Sequence, residues 1–449
     1  MEPQMQLETQ PRLDEQQPLA AQDDAVAVRW GLARKVGFRF AFSYLVLFIL
    51  TAQEVASIPG VSFLVQKYHG VWRAIVPWVG KHVLRLGYDM PMGPSGSGDK
   101  TYDWVLALCY LALATAVTVG WSMLDRRRAS YPRLHQWLRL AVRFSLGTAM
   151  IMYGSFKVIP LQMPAPSLAR LVEPYGDSSP MGILWTFIGA STAYEMFTGF
   201  AELVGGILVL LPRTTLLGAL LCVADTTMIF TLNMSYDVPV KLYSFHLLLM
   251  AIFLIGPDLR RLGNMFILNR RVEPAAPPRL FKRRWPNRIP QAALSALGLF
   301  LLCMSFYQAW QARELYGWRA PKSPLYGIWN VEELSVDGQI KPALITDDSR
   351  WRRVIFQSPT AMAVQPMSGP NVYYRAALDM DGKRLTLNKT TDPEWKAEMT
   401  FDRPDSDQLT IEGDMDGHQT RARLVRYDEG KFLLKNRGFH WVQEFPFNR

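Results

Sequence analysis

The sequence predicts a polytopic α-helical membrane protein of about seven spans, followed by a C-terminal antiparallel all-β domain of barrel type. Three observations predict this class. Between about residues 36 and 308, long apolar runs alternate with short polar loops. Most of those runs lack the polar stripe that a helix of a soluble bundle would show. Beyond residue 320 the hydrophobic pattern changes to period two, with turn-forming dipeptides between short runs.

The 49% hydrophobic content therefore averages two unlike parts of the 449-residue chain. Residues 1–28 are rich in Gln, Asp, Glu and Pro, too polar to bury a core. They lack the basic start and small-residue cleavage site of a signal peptide, so residues 1–35 read as a disordered cytoplasmic tail. Cys109, Cys222 and Cys303 each fall in an apolar run, which leaves no disulfide framework for an exported region. There is no Cys-x-x-Cys and no His/Cys cluster with metal-ligand spacing.

Windows of membrane-spanning length place spans at about 38–56, 103–123, 138–158, 190–211, 214–234, 242–257 and 288–308. Basic residues concentrate between the second and third spans, at Arg126, Arg127, Arg128, Arg133 and Arg139. They concentrate again between the sixth and seventh, around Arg260, Arg261, Arg270, Arg271, Arg279, Lys282, Arg283, Arg284 and Arg288. Threading alternates those loops onto one side, which the positive-inside rule makes cytoplasmic. The N-terminus is then inside and the C-terminal domain outside, and the +10 net charge needs no nucleic acid to explain it.

Residues 36–136 thus hold two spans and an external segment. In that segment Phe63, Leu64, Tyr68, Val71, Trp72, Ile75 and Trp78 recur at helical spacing, with Lys67, Arg73 and Lys81 interleaved, as for a helix on a membrane surface. PMGPSGSGDK at 91–100 reads as a flexible linker. In the second outer segment, 161–182, Ser167 is placed to cap a short helix carrying Leu168, Leu171 and Val172, and GDSS at 176–179 reads as a turn rather than a nucleophile. Residues 271–310 are a basic loop and the seventh span.

Residues 320–449 form the β-domain. Its expected strands include GIWNVEEL, WRRVIF, VYYRAAL, RLTL, QLTIEG, TRARLVRY and KFLL, eight to ten in all. Asp337-Gly338, Asp381-Gly382, Asp416-Gly417 and Glu429-Gly430 are hairpin signals. HWVQEFPFNR at 440–449 is expected as a packed final strand. Gly327-Ile328-Trp329 is similar to the Gly-x-Trp that opens lipocalin-like barrels. Such a barrel either encloses a ligand or is filled by its own side chains.

The chemistry is carried by residues 137–270. Span three holds Arg143 and ends with Tyr153, Gly154 and Lys157; span four holds Glu195 and Glu202; span five holds Asp225. Span six opens near Asp237 and Lys241, with Tyr243 and His246 behind them. Charges at such depth face a bundle interior or a wet cavity. At about 1.5 Å of rise per residue, Lys157 and Glu195 fall near the outer end and Glu202 and Asp225 near mid-depth. Glu195 is expected to pair with Lys157, and Arg143 with an acid. Glu202 and Asp225, if close, would share a proton, as a proton relay or a quinone head-group site requires. His246 reads as a satisfied polar histidine rather than a haem ligand, although it joins Glu202, Asp225 and Tyr243 as a candidate of the relay. The alternative is that these pairs only pin the bundle. Gly199 and Gly206, on the face of Glu195 and Glu202, invite close approach of another helix.

Residues 138–262 resemble the DoxX family of small bacterial membrane proteins. The resemblance rests on Arg143 early in a helix ending Gly154-Ser155-Phe156-Lys157, and on AELVGGILVLLPRTTLLGALL at 201–221. It implies a four-helix membrane core in the bacterial inner membrane, with Arg143, Lys157 and Glu202 at the family's polar positions. It also implies a component of a quinone-linked or envelope redox-stress system. The sequence carries no flavin or nicotinamide glycine fingerprint, no haem ligand pair and no iron–sulfur cysteines. Electrons would therefore come from an oxidoreductase partner, and this chain would contribute a quinone pocket or proton path without a covalently bound cofactor. Two other readings stay open: a lipid or apolar-ligand carrier whose outer domain receives the ligand, and an assembly scaffold.

Overall fold

The computed structural model describes residues 29–448 apart from Pro59, residues 275–279 and 282–284, Thr390 and Pro393. Residues 1–28 of the expected N-terminal tail, along with Arg279, Lys282, Arg283 and Arg284, lie outside the described residues, and the tail ends sooner than expected because α1 already begins at Leu32. The helices are α1 (Leu32–Ile49), α2 (Gln53–Ala56), α3 (Ser62–His82), α4 (Thr101–Leu124), α5 (Pro132–Val158), α6 (Leu168–Val172) and α7 (Pro180–Gly189). They continue with α8 (Thr192–Leu210), α9 (Thr215–Ser235), α10 (Lys241–Ile255), α11 (Leu259–Leu262), α12 (Arg288–Ala312) and the terminal α13 (Leu433–Asn436).

Among the described residues, five helical stretches are long and apolar enough to cross a membrane: α4, α8, α9, the run Lys241–Ile267 that begins with α10, and α12. The helices α1 and α5 occupy the other two expected spans but carry more charge, with Arg34, Lys35 and Arg39 in one and Arg133, Arg139, Arg143 and Lys157 in the other. Helix α5 is central all the same. Every residue from Val142 to Ile151 is buried, so it is covered on all faces. One apolar core joins α1, α5, α8, α9, α10 and α12 through residues such as Leu146, Met150, Val209, Leu210, Met250 and Leu301.

Helix α3 forms in the segment where a helix is expected. Trp72 and Val76 are buried and pack with Val105 and Tyr110 of α4, Val65 joins the main helical core, and Phe63, Leu64, Val71, Ile75 and Trp78 remain exposed. The 91–100 linker is more than a flexible tether. Its Asp99 carboxylate accepts the backbone N–H groups of Lys241 (2.8 Å) and Leu242 (2.9 Å), capping α10. Free N–H groups at a helix start draw an acid in this way.

The β-domain is a closed antiparallel barrel. Strands β1 (Gly327–Val336), β2 (Gln339–Ile340), β3 (Trp351–Ser358), β4 (Ala361–Pro366), β5 (Val372–Asp379), β6 (Arg384–Lys389), β7 (Lys396–Asp402), β8 (Gln408–Met415) and β9 (His418–Tyr427) follow as a meander. Strand β9 pairs with β1 and closes eight strands, while β2 only extends the β1 hairpin. Asp337 (φ 50°) and Asp416 (φ 55°), each followed by a positive-φ glycine, make the tight turns their Asp-Gly pairs predict. The interior is filled by its own side chains, among them Trp329, Phe356, Leu385, Met399, Phe401 and Leu424.

Two expectations fail at the C-terminus. KFLL and Glu429-Gly430 form helical turns rather than a strand and hairpin. Residues 440–448 are not a final strand, and Trp441 is 91% exposed. The reason is topological: β9 already bonds to both β8 and β1, so neither of its edges is left to accept the segment that follows it.

The barrel seats on α6. Leu168 packs against the outward residues Ile328, Ile355 and Ala363, its N–H donates to Gln357 Oε1 (2.9 Å), and Gln365 Nε2 donates to Val172 O (2.9 Å). Ser167 caps α6 as expected, and Ser179 of GDSS caps α7.

Candidate functional site

The site is built on the approach of α5 to α8. Gly147 and Gly154 on α5 face Gly206 and Gly199 on α8, and each pair is seven residues apart. A Cβ at Gly154 would lie 2.7 Å from Gly199 O, one at Gly199 2.6 Å from Lys157 Cβ, and one at Gly206 2.7 Å from Gly147 O. The two backbones therefore touch along two helical turns, and any side chain there would force them apart. On the far side of α8, a Cβ at Gly218 of α9 would meet Val209 N at 2.4 Å. Helix α8 is held between α5 and α9, and the charges on all three are brought together.

Lys157 Nζ forms an ion pair with Glu202 Oε1, and both side chains are buried. This corrects the expected Lys157–Glu195 pair. Lys157 stands level with Gly199, between the two acids, and its ammonium turns inward. Glu195 has another partner: its Oε1 accepts the backbone N–H of Met163 at 2.9 Å. The turn after α5 has N–H groups to offer, whereas the N–H groups around Glu202 are consumed within the helix, so the cation goes to the acid that has no other donor. Glu195 still lies within electrostatic reach of Lys157.

Asp225 lies halfway along α9 and interacts electrostatically with both Glu202 and Lys157. Glu202 Oε2 and Asp225 Oδ2 are buried with no hydrogen-bond partner among the described residues. Glu202 is 1% exposed, but Asp225 is only half-buried, so the cluster reaches the surface of the helix bundle at Asp225. Orphaned polar atoms are rare in protein interiors, and each such group calls for a missing donor.

Arg143 pairs with no acid among the described residues, contrary to expectation. Its Nε and Nη2 donate to Val209 O (2.9 Å) and Leu210 O (2.7 Å), and Nη1 donates to Gln291 Oε1 of α12 (2.7 Å). It caps the C-terminus of α8, where free carbonyls and the helix dipole favour a cation. Arg143 therefore holds α8 in place from below, while Lys157 grips it from above.

His246 is satisfied, as expected. Its Nδ1 is 2.7 Å from Leu242 O and its Nε2 2.6 Å from Tyr44 Oη, and the ring stacks on Phe48 at 4.0 Å. A carbonyl only accepts, so Nδ1 carries the proton and the tyrosine hydroxyl donates to Nε2. Tyr243 lies 6.0 Å from the ring of Tyr153 on α5 and connects this aromatic group to the neighbourhood of Lys157. His246 and Tyr243 thus line the α1–α10 side, and the recorded contacts of His246 run to α1 and to its own helix.

Sequence reasoning missed Gln162, the Met163 N–H, Tyr44 and Gln291. Each depends on which helices are neighbours, and nothing in the local pattern around them signals a partner. Among the described residues no group of three His, Cys, Asp or Glu is placed to hold a metal ion.

No family model matches the chain, and no solved structure matches it. It is 31% identical over 156 residues to the uncharacterized protein YwoB of Bacillus subtilis (strain 168), a match that covers 32% of this chain and 96% of that protein.

Proposed function

We propose that this chain, which belongs to the family of the uncharacterized protein YwoB of Bacillus subtilis, is a DoxX-like, seven-span inner-membrane protein that offers a buried proton-exchanging site to the head group of a quinone. In this reading the N-terminus is cytoplasmic and the barrel lies outside. An oxidoreductase partner supplies electrons, while Lys157, Glu202 and Asp225 hold and exchange protons. Five stretches of membrane-spanning length and composition among the described residues, with α1 and α5 overlapping the other two expected spans, support the reading. The contact of the barrel with α6 suits a threading that puts both on one side.

The observation that carries the reading is the pair of orphaned carboxylate oxygens, Glu202 Oε2 and Asp225 Oδ2, beside a buried ammonium. They fit a ligand that presents hydroxyl groups, which can donate to them, at the end of an apolar body. Half-buried Asp225 gives such a ligand a lateral way in from lipid. Two carboxylates near one ammonium also make protonation of one of them cheap, because adjacent negative charges in low dielectric disfavour full ionisation. The filled barrel interior speaks against the rival reading in which the outer domain receives a lipid.

Titration of the purified chain in nanodiscs with a short-chain quinol, whose hydroxyl groups donate to carboxylates, tests the proposal. Saturable binding is expected for the native chain. Glu202→Gln should weaken it about tenfold or more, because a hydrogen bond to a charged group contributes about 1.5–3 kcal/mol. Equal binding by both proteins would sink the proposal.

A further inference from the structure

Beyond Val158 the chain folds back over the outer end of α5. Leu161 N–H (3.0 Å) and Gln162 N–H (3.2 Å) both donate to Phe156 O. Three groups hold this segment down. Glu195 accepts the Met163 N–H; Gly189 lies so close that a Cβ there would be 2.3 Å from Pro164 O; and Gly317, beyond α12, packs on Leu161. Segment 159–166 then leads directly into Ser167 and α6, under the barrel.

Four buried side-chain atoms lack a hydrogen-bond partner among the described residues: Trp72 Nε1, Gln162 Oε1, Glu202 Oε2 and Asp225 Oδ2. Three of them belong to one file. Gln162 lies in the turn that Glu195 binds, Glu195 is in electrostatic reach of Lys157, Lys157 pairs with Glu202, and Glu202 acts on Asp225. Buried polar groups without protein partners are the usual seats of internal water. The other polar groups around the file are engaged or neutral. Arg143 is spent on α8 carbonyls, His246 is closed on Tyr44 and Leu242, and Cys222 of α9 contributes only a thiol.

We infer that protons reach Glu202 and Asp225 from the outer aqueous face through water held along this file, entering past Gln162. Glu195 is a positioning residue that keeps segment 159–166 over the entrance. The step is proton transfer alone: water at the outer end gives up a proton and a carboxylate at the inner end takes one. The inference rests on the reading of Glu202 and Asp225 as a working site, and it adds the side from which that site is served.

Infrared spectroscopy of the full chain in oriented liposomes tests it without any quinone. The carboxylic-acid C=O bands are assigned by their loss in Glu202→Gln and Asp225→Asn. After acidification of the outer face, the bands are expected to rise about tenfold more slowly in Gln162→Met, the equivalent of about 1.4 kcal/mol on the barrier, and to reach the same end point. Gln162→Glu, which restores an oxygen acceptor, is expected to keep the native rate. An unchanged rate in Gln162→Met, or an equally fast response to acidification of the inner face alone, would overturn the inference. Quinol binding is read separately, so loss of one result leaves the other standing.

Discussion

Lys157→Met is expected to be among the most damaging single substitutions in the protein. It leaves Glu202 buried in the bundle without its cation, and breaking a buried pair from one side typically costs about 3–5 kcal/mol. Lys157→Met combined with Glu202→Leu should recover most of that loss, because replacing both partners with apolar groups removes the unpaired charge as well as the attraction. Thermal unfolding of the single and double variants in one detergent measures both effects. A double variant as unstable as Lys157→Met would show that the damage comes from packing rather than from an orphaned carboxylate.

Gly154→Leu is expected to disrupt the bundle at its tightest contact. A Cβ at Gly154 would meet Gly199 O at 2.7 Å and Leu203 N at 2.8 Å, and both are backbone atoms that cannot swing away. Overpacking of interiors commonly costs about 1–3 kcal/mol and more where backbones must part. The effect here should reach function too, since parting α5 from α8 moves Lys157 away from Glu202. Gly120→Leu on α4 is the control, because nothing lies within 4 Å of a Cβ there. Yields of folded protein and melting temperatures should fall sharply for Gly154→Leu and stay near native for Gly120→Leu. Similar values for both would remove the close approach from the account.

Much of this architecture is legible in the sequence because the signals are local. Apolar runs mark the long helices, Asp-Gly pairs mark the β1–β2 and β8–β9 turns, and Ser167 announces its cap, whereas the cap at Ser179 lies in a stretch that reads only as a turn. Strand β4 was less legible, because Met362–Pro366 is buried throughout and does not alternate. Its outward Ala363 and Gln365 face α6, a helix nearly two hundred residues earlier in the chain. The same holds for the site. Spacing alone puts Glu195 and Glu202 on one face of α8, and depth alone favours Glu195 as the partner of Lys157. The choice between them depends on a backbone N–H at Met163, which local pattern does not reveal. Arg143 looks like half of an ion pair until the end of α8 is found beside it.

The central claim is that Glu202 and Asp225 form a site that a lipid-soluble ligand occupies. Mass spectrometry of the chain purified gently from its native membrane tests this most directly. The account predicts an isoprenoid quinone retained with the native chain and lost from Asp225→Asn at equal yield and stability. Native protein that carries no quinone, or a variant that retains it equally well, would contradict the account.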